Sequence, residues 1–459
     1  MVSEKFRRQL RQQAEGWQQD GLIDAMQYQQ LAARYQFDEL EVRARNRFVM
    51  ILLGIGSILL ALGAVTFVAA NWQEWPHGFK LGLLLSLLVL ANFSGFGLWR
   101  NPNRSGKRRR FGQGLLLLGA LLVGPCIAQM AQMFHIGGSP YALLLCWGLA
   151  VLVMAYSLRL TFLGIVAGGL VLSGYLWGIP ELSVAGSLSW SQGLVRHMPL
   201  LSMVLFGPLA YYCRSRVLFA LEALLLVGAL ETNIGYGFDL APGVLIAIAP
   251  TLPVALLWAY DDCIWPGINA KRFQPTARVL ALLCFCISLY TFTFNHFWDF
   301  SVLQESWVPN QLPDWWLLLD LAMLEVLTVV LWTRLICRRG NLDRVTVTLG
   351  SMVAIATLLL FCHHNWVPIP ILATFLFNSL FFLLAAGLMR SGLATGKRYT
   401  FWSGILLLAL QILSRLLEYD TDLLLKSFVF FLCGVGVIAA GLWFEKHLST
   451  LVPTQEFSP

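Results

Sequence analysis

Apolar runs long enough to cross a bilayer, each needing about 20 residues, recur from Phe48 to Phe444 with only short polar breaks between them. A chain of this pattern has lipid rather than water as its main solvent. Composition agrees, with 58% hydrophobic and 12% charged residues against roughly 25% charged in ordinary soluble domains, and it leaves no room for a soluble catalytic domain. The expected fold is all-α, a polytopic bundle of transmembrane helices.

Apolar runs begin near Phe48, Leu81, Gly114, Tyr141, Leu160, Pro199, Val217, Gly243, Thr276, Trp315, Val345, Pro368, Tyr399 and Leu423, which predicts about 14 spans. The weakest breaks fall at Arg159 and at Arg214 to Arg216, where only a few residues separate neighbouring runs, and losing either would invert everything downstream. Lysine and arginine test the count, because cytoplasmic loops carry an excess of both. With alternate loops assigned to one side, 28 of the 32 lie on the side of the N-terminus, and the other side keeps Lys80, Arg196, Arg415 and Lys426. An even number of spans with both termini inside accounts for this. The run Lys107 to Arg110 then reads as an orientation signal.

Residues 1–47 are polar and precede the first apolar run, so no cleavable signal peptide is expected and the run from Phe48 to Ala70 reads as a retained anchor. Three regions follow: 1–47, a cytoplasmic helical hairpin; 48–444, a transmembrane domain of about 14 helices; and 445–459, a short cytoplasmic tail. In the hairpin, Phe6, Leu10, Ala14 and Trp17 mark one face of a helix that Gly21 is placed to end. Asp24 with Gln27 three positions on is a capping-box-like start for a second helix, whose Tyr28, Leu31 and Tyr35 repeat at helical spacing.

The net charge of +7 does not point to nucleic acid, since the basic residues sit in short loops where topology alone explains them. The nine cysteines fall mostly inside apolar runs and show no CxxC pair, so they read as small packing residues. P-loop and HExxH patterns are absent, and no cofactor is expected.

Ionisable groups within a bilayer cost about 2.5 to 3.5 kcal/mol each at its centre, so they usually face protein and often mark a pathway. Glu325, ten residues into the run from Trp315, is placed near the midplane, with Asp320 shallower in the same helix and Glu222 about two turns in from Arg216. Glu325 reads as a proton or cation site, or as the structural partner of an arginine such as Arg415. Gln129, Gln132 and His135 follow at helical spacing after Pro125, a pattern that serves interhelical hydrogen bonds or lines a ligand pocket. Six of the seven histidines (His77, His135, His197, His296, His363 and His364) fall at outer ends of the spans, some beside Asn and Trp as in Asn71-Trp72. Tryptophan favours membrane interfaces on its own account, and the alternative is an outer metal or acid/base site. Gly164 with Gly168, and Gly174 with Gly178, are small-residue pairs that let helices approach.

The N-terminal third resembles a known family. Trp17, Gly21-Leu22-Ile23, Ala69-Ala70-Asn71-Trp72, Gly124, Ala128, Gln132-Met133-Phe134-His135, Tyr141 and Trp147 are similar to the bacterial predicted membrane proteins of domain of unknown function 2157, over roughly residues 10 to 160. Relatives often carry an acidic residue after the glycine, where this chain has Gly138-Ser139-Pro140. The resemblance implies an integral membrane protein of a bacterial envelope and brings no activity with it; the expected location is the bacterial inner membrane, crossed many times.

The candidate binding set is Glu325, Asp320, Gln129, Gln132, His135, Asn71, Trp72, Tyr141 and Trp147. The expected function is transport or ligand binding without catalysis, in contact with the lipid bilayer and an unidentified small-molecule or lipid substrate. Two alternatives stand beside it: an enzyme working on a lipid-linked substrate at the outer face through His135, His296, His363 or His364, and a structural or sensory subunit whose hairpin recruits a protein partner.

Overall fold

The computed structural model describes residues 4–35, 37, 74–100, 106–182, 189–236, 247–262, 272–298, 315–339, 343–418 and 422–451. Among these residues every regular element is helical, so the chain is all-α. The expected first span from Phe48, and the first four residues of the one from Gly243, lie outside the described residues.

Two compact units divide the chain, Met1–Ser86 and Leu87–Pro459. In the first, α1 (Glu4–Gln19) and α2 (Ala25–Tyr35) form an antiparallel pair. Gly21, at φ 72°, turns the chain, and the Leu22 amide returns to the Trp17 carbonyl at 2.8 Å, the left-handed stop that glycine adopts without a Cβ penalty. Asp24 and Gln27 then cap α2 reciprocally: the Gln27 amide donates to Asp24 Oδ1 at 2.6 Å and the Asp24 amide to Gln27 Oε1 at 3.0 Å. Ala14 and Phe37 are buried between the two helices against Leu10, Tyr28, Leu31 and Tyr35. The hairpin thus carries a small core of its own.

The second unit takes in most of α3 (His77–Arg100) and continues through α4 (Gly106–Met133), α5 (Pro140–Leu158), α6 (Thr161–Gly178), α7 (Trp190–Arg196), α8 (Met198–Cys213) and α9 (Arg216–Tyr236). It goes on through the short α10 (Leu252–Ala259) to α11 (Gln274–Phe292), α12 (Trp315–Arg339), α13 (Arg344–Asn365), α14 (Pro370–Thr395), α15 (Arg398–Glu418) and α16 (Leu423–Leu451). Ten helices among the described residues are long and apolar enough to cross a membrane, and α7 with α8, bent by 83° at His197, could make an eleventh. Such helices satisfy their own backbone polar groups, which hydrocarbon cannot do for them.

The two weakest breaks in the sequence are both sharp two-residue turns. Arg159 closes α5 at φ 53°, ψ 42°, and Arg214 closes α8 at φ 53°, ψ 37°, each a left-handed conformation uncommon for a residue other than glycine. After Arg214, the Ser215 amide donates to the Ala210 carbonyl at 3.0 Å and ties off the end of α8. The turns stand side by side: Arg159 Nη2 donates to the Tyr212 hydroxyl at 2.9 Å, and its guanidinium lies 4.2 Å from the Tyr212 ring centroid.

Glycines set the closest helix contacts. A Cβ on Gly148 of α5 would stand 3.1 Å from the Val171 amide nitrogen of α6, and one on Gly174 of α6 would stand 3.1 Å from that of Leu145. The two glycine pairs of α6 serve different neighbours, Gly164 and Gly168 facing Leu218 and Leu221 of α9 while Gly174 and Gly178 face Leu145 and Tyr141 of α5. Side chains from α4 to α9 make one core around Leu145, Leu163, Tyr175, Phe206 and Leu209. A second gathers α9, α11, α13 and α14 around Phe285, Leu289, Phe377 and Phe381. At the C-terminal end, Phe444 of α16 stacks on Phe401 of α15 at 4.1 Å, beside an Arg398–Glu445 ion pair at 2.8 Å.

Polar contacts between helices join like ends. Tyr211 and Tyr260 meet near the Arg214 turn, whereas His197 and Asp320 pair at the opposite end of α8. Thr293, Arg415 and Glu418 meet where α11 and α15 both finish. Alternating helices produce this sorting directly.

Candidate functional site

The short α10 opens a gap. The chain reaches it through a turn at Ala249 and Pro250, and the helix runs eight residues beside the upper parts of α9 and α11. The result is a cleft of about 390 Å³, open on one side, with walls that are mainly Val227, Ile234, Pro253, Ile287 and Phe292. Among the described residues one charged side chain lines it, Glu231 of α9, and no hydrogen bond or ion pair is found for it there. It lies 15 residues beyond Arg216, roughly 22 Å along the helix.

The two hydroxyls of the described lining share one polarity. The Ser288 hydroxyl donates to the Cys284 carbonyl and the Thr291 hydroxyl to the Ile287 carbonyl, both at 2.9 Å. Their hydrogens are spent on their own helix, and what they offer the cleft is oxygen lone pairs. An ionised carboxylate accepts and cannot donate. The described lining is therefore mainly apolar with oxygen acceptors and one weakly donating thiol, Cys284, which suits a cationic donor with a greasy body.

Two polar clusters hold the two ends of α11. On one side Arg415 Nη1 donates to the Thr293 carbonyl at 2.6 Å and also to Glu418, while Glu418 Oε1 accepts the Asn295 amide at 2.7 Å. Asn378 of α14 adds a bond to the same Thr293 carbonyl at 3.1 Å and takes one from Gln411. This clamp fixes the end of α11 just after Thr291 and Phe292. At the opposite end of α11 Asp262, with none of its surface exposed, accepts the amides of Phe273 and Gln274 at 3.0 and 3.1 Å and the hydroxyl of Tyr211.

The residues singled out by sequence are dispersed. Glu325 lies on an exposed face of α12, and Arg415 is engaged with Thr293 and Glu418. Asp320 is fully buried 2.7 Å from His197 Nδ1. Gln129 is buried, whereas Gln132 and His135 are exposed, His135 in a left-handed conformation at φ 54°. Tyr141 is buried and accepts the Ser191 hydroxyl at 3.1 Å. Trp147 donates to the Ala120 carbonyl at 2.8 Å and lies so close over Gly124 that a Cβ there would overlap its indole. Asn71 and Trp72 lie outside the described residues.

The histidines do not assemble either. His363 is buried and accepts the Ile369 amide on Nδ1 at 3.0 Å, His364 Nδ1 lies 3.1 Å from the Leu360 carbonyl, and His296 is exposed. Among the described residues no three His, Cys, Asp or Glu side chains are grouped to hold a metal. Glu222 is legible in the sequence as a membrane acid, but Glu231 escapes notice there because Glu231-Thr232-Asn233 resembles the polar end of a span. The signal is present, since the same apolar run continues past it.

A bundle of apolar helices with acids inside it defines a multi-pass integral membrane protein. Residues 15–164 match the family described as "Predicted membrane protein (DUF2157)", which is the family that Trp17, Gly124, Tyr141 and Trp147 indicate. No curated protein and no solved structure matches the chain.

Proposed function

We propose that this protein is a transport or ligand-binding protein of a bacterial inner membrane, with about fourteen spans and both termini in the cytoplasm, and that its solute site is the cleft around Glu231. The observation that carries the reading is the carboxylate itself. Insertion scales charge about 2.5 to 3.5 kcal/mol for an acid deep in a bilayer, a cost a cationic ligand can offset at Glu231. The acceptor-only polarity of Ser288 and Thr291 supports an organic ammonium with an apolar body. The proposed orientation is supported by the lysine and arginine count and by the joining of like helix ends.

Phenethylammonium tests this by titration calorimetry on the protein in lipid nanodiscs, with phenylpropanol as a neutral ligand of similar shape. The ammonium binds and the alcohol does not, and E231Q abolishes the heat. Equal binding of the two ligands, or undiminished binding to E231Q, overturns the assignment.

A further inference from the structure

Backbone contact closes the hairpin of α3 and α4. A Cβ on Gly112 would stand 2.8 Å from both the Gly95 carbonyl oxygen and the Trp99 amide nitrogen, and one on Gly119 would overlap the Asn92 side chain. Rising numbers on α3 thus meet falling numbers on α4, an antiparallel crossing with no room for a side chain between the two. Arg100 lies about 7.5 Å beyond Gly95 along its helix, and Lys107 to Arg110 lie about 3 to 7.5 Å short of Gly112 along theirs. The crossing therefore sets these five cations at one end of the hairpin.

Nothing nearby in the sequence neutralises them, since no Asp or Glu occurs between Glu74 and Glu181. Arg100 and every residue from Lys107 to Arg110 are exposed. Below them the outward face of each helix is apolar. On α3 the exposed Val89, Phe93 and Phe96 follow one another at helical spacing up to Arg100, whose guanidinium lies 5.5 Å from the Phe96 ring centroid. Phe93 keeps 83% of its surface, so this stripe is left to lipid. It runs about 16 Å, close to half of a hydrocarbon core about 30 Å thick. On α4 the exposed Phe111 and Leu118 continue in the same way from Lys107 and Arg108.

We propose that this end of the hairpin binds an anionic phospholipid, with its phosphate held by Arg100 and the run Lys107 to Arg110 and an acyl chain laid along Val89, Phe93 and Phe96. A signal that orients helices needs only the number of cations. It has no use for an exposed phenyl ring beneath a guanidinium, whereas a phosphate joined to a hydrocarbon chain meets both parts of the stripe. A free phosphate would use the charges and leave the ring idle. The site is separate from the cleft at Glu231 and does not rest on solute binding there.

Native mass spectrometry of the full chain released from detergent micelles reads the site, with palmitoyl-oleoyl phosphatidylglycerol as the probe and the phosphatidylcholine of the same chains as its control. The anionic lipid is expected to bind about tenfold more tightly, and R108Q/R109Q/R110Q removes the preference. R100Q weakens binding about fivefold, the scale of one cation beside anionic lipid. F96A weakens it with every charge in place, while E231Q and K397Q leave it unchanged. Thermal unfolding shows which variants keep the fold, and R100Q and F96A carry the test if the triple variant does not. Equal binding of the two lipids, or full binding to a folded R108Q/R109Q/R110Q or R100Q, overturns the proposal. Displacement of the lipid by inorganic phosphate, or indifference to F96A, overturns it too, by showing that charge alone is bound.

Discussion

The carboxylate of Asp320 and the Nδ1 of His197 lie 2.7 Å apart although 123 positions separate them in the chain. Asp320 has no exposed surface, while the His197 side chain keeps 27% of its own. The pair pins the 83° bend between α7 and α8 to the first turns of α12. Removing one member takes away a short hydrogen bond in a setting where water does not readily replace it.

H197A is therefore expected to destabilise the protein by about 2 kcal/mol, the scale of a hydrogen bond to a charged group. D320N should cost less in the H197A background than in the wild type, because the bond it weakens is already gone there. A double-mutant cycle in denaturant unfolding measures this, and additive effects would show that the two residues do not interact.

Arg415 carries a second expectation. Its guanidinium reaches the Thr293 carbonyl, the Thr293 hydroxyl and Glu418 at once, and lies 4.3 Å from the Phe294 ring centroid. A lysine ammonium is a compact point charge without that planar fork. R415K should thus lose about 1–2 kcal/mol in unfolding experiments while keeping the charge, and R415A should lose more. Equal stability of R415K and wild type would mean that charge alone matters there.

Threading is open to direct test. Reporter fusions ending after Arg216 and after Lys397 should report the cytoplasm, and a fusion ending after Glu181 should report the outer side. An exterior signal after Arg216 would contradict the arrangement in which Arg159 and Arg214 share one face with the N-terminus.

The helices themselves are readable from apolar length. Twelve of the fourteen expected starts coincide with the beginnings of helices, to within several residues. The turns at Arg159 and Arg214 are visible as single charges breaking apolar runs, because a cation is costly in hydrocarbon whichever helix it joins. The start of α2 is visible too, because a capping box is a contact between residues three apart.

Depth in the membrane is a property of one helix, and the sequence supplies it, which is why membrane residence, helical class and the intramembrane acids follow from the residues in order. What each acid meets is a property of several helices. Glu325 and Glu231 are alike as acids in apolar runs, yet one faces outward from α12 and the other lines a cleft between α9, α10 and α11, because different helices pack beside them. Asp261 and Asp262 are adjacent and chemically identical, and only the approach of Phe273, Gln274 and Tyr211 makes the second a buried acceptor. Such partners come from distant stretches of the chain, so no local pattern records them, and packing alone decides them.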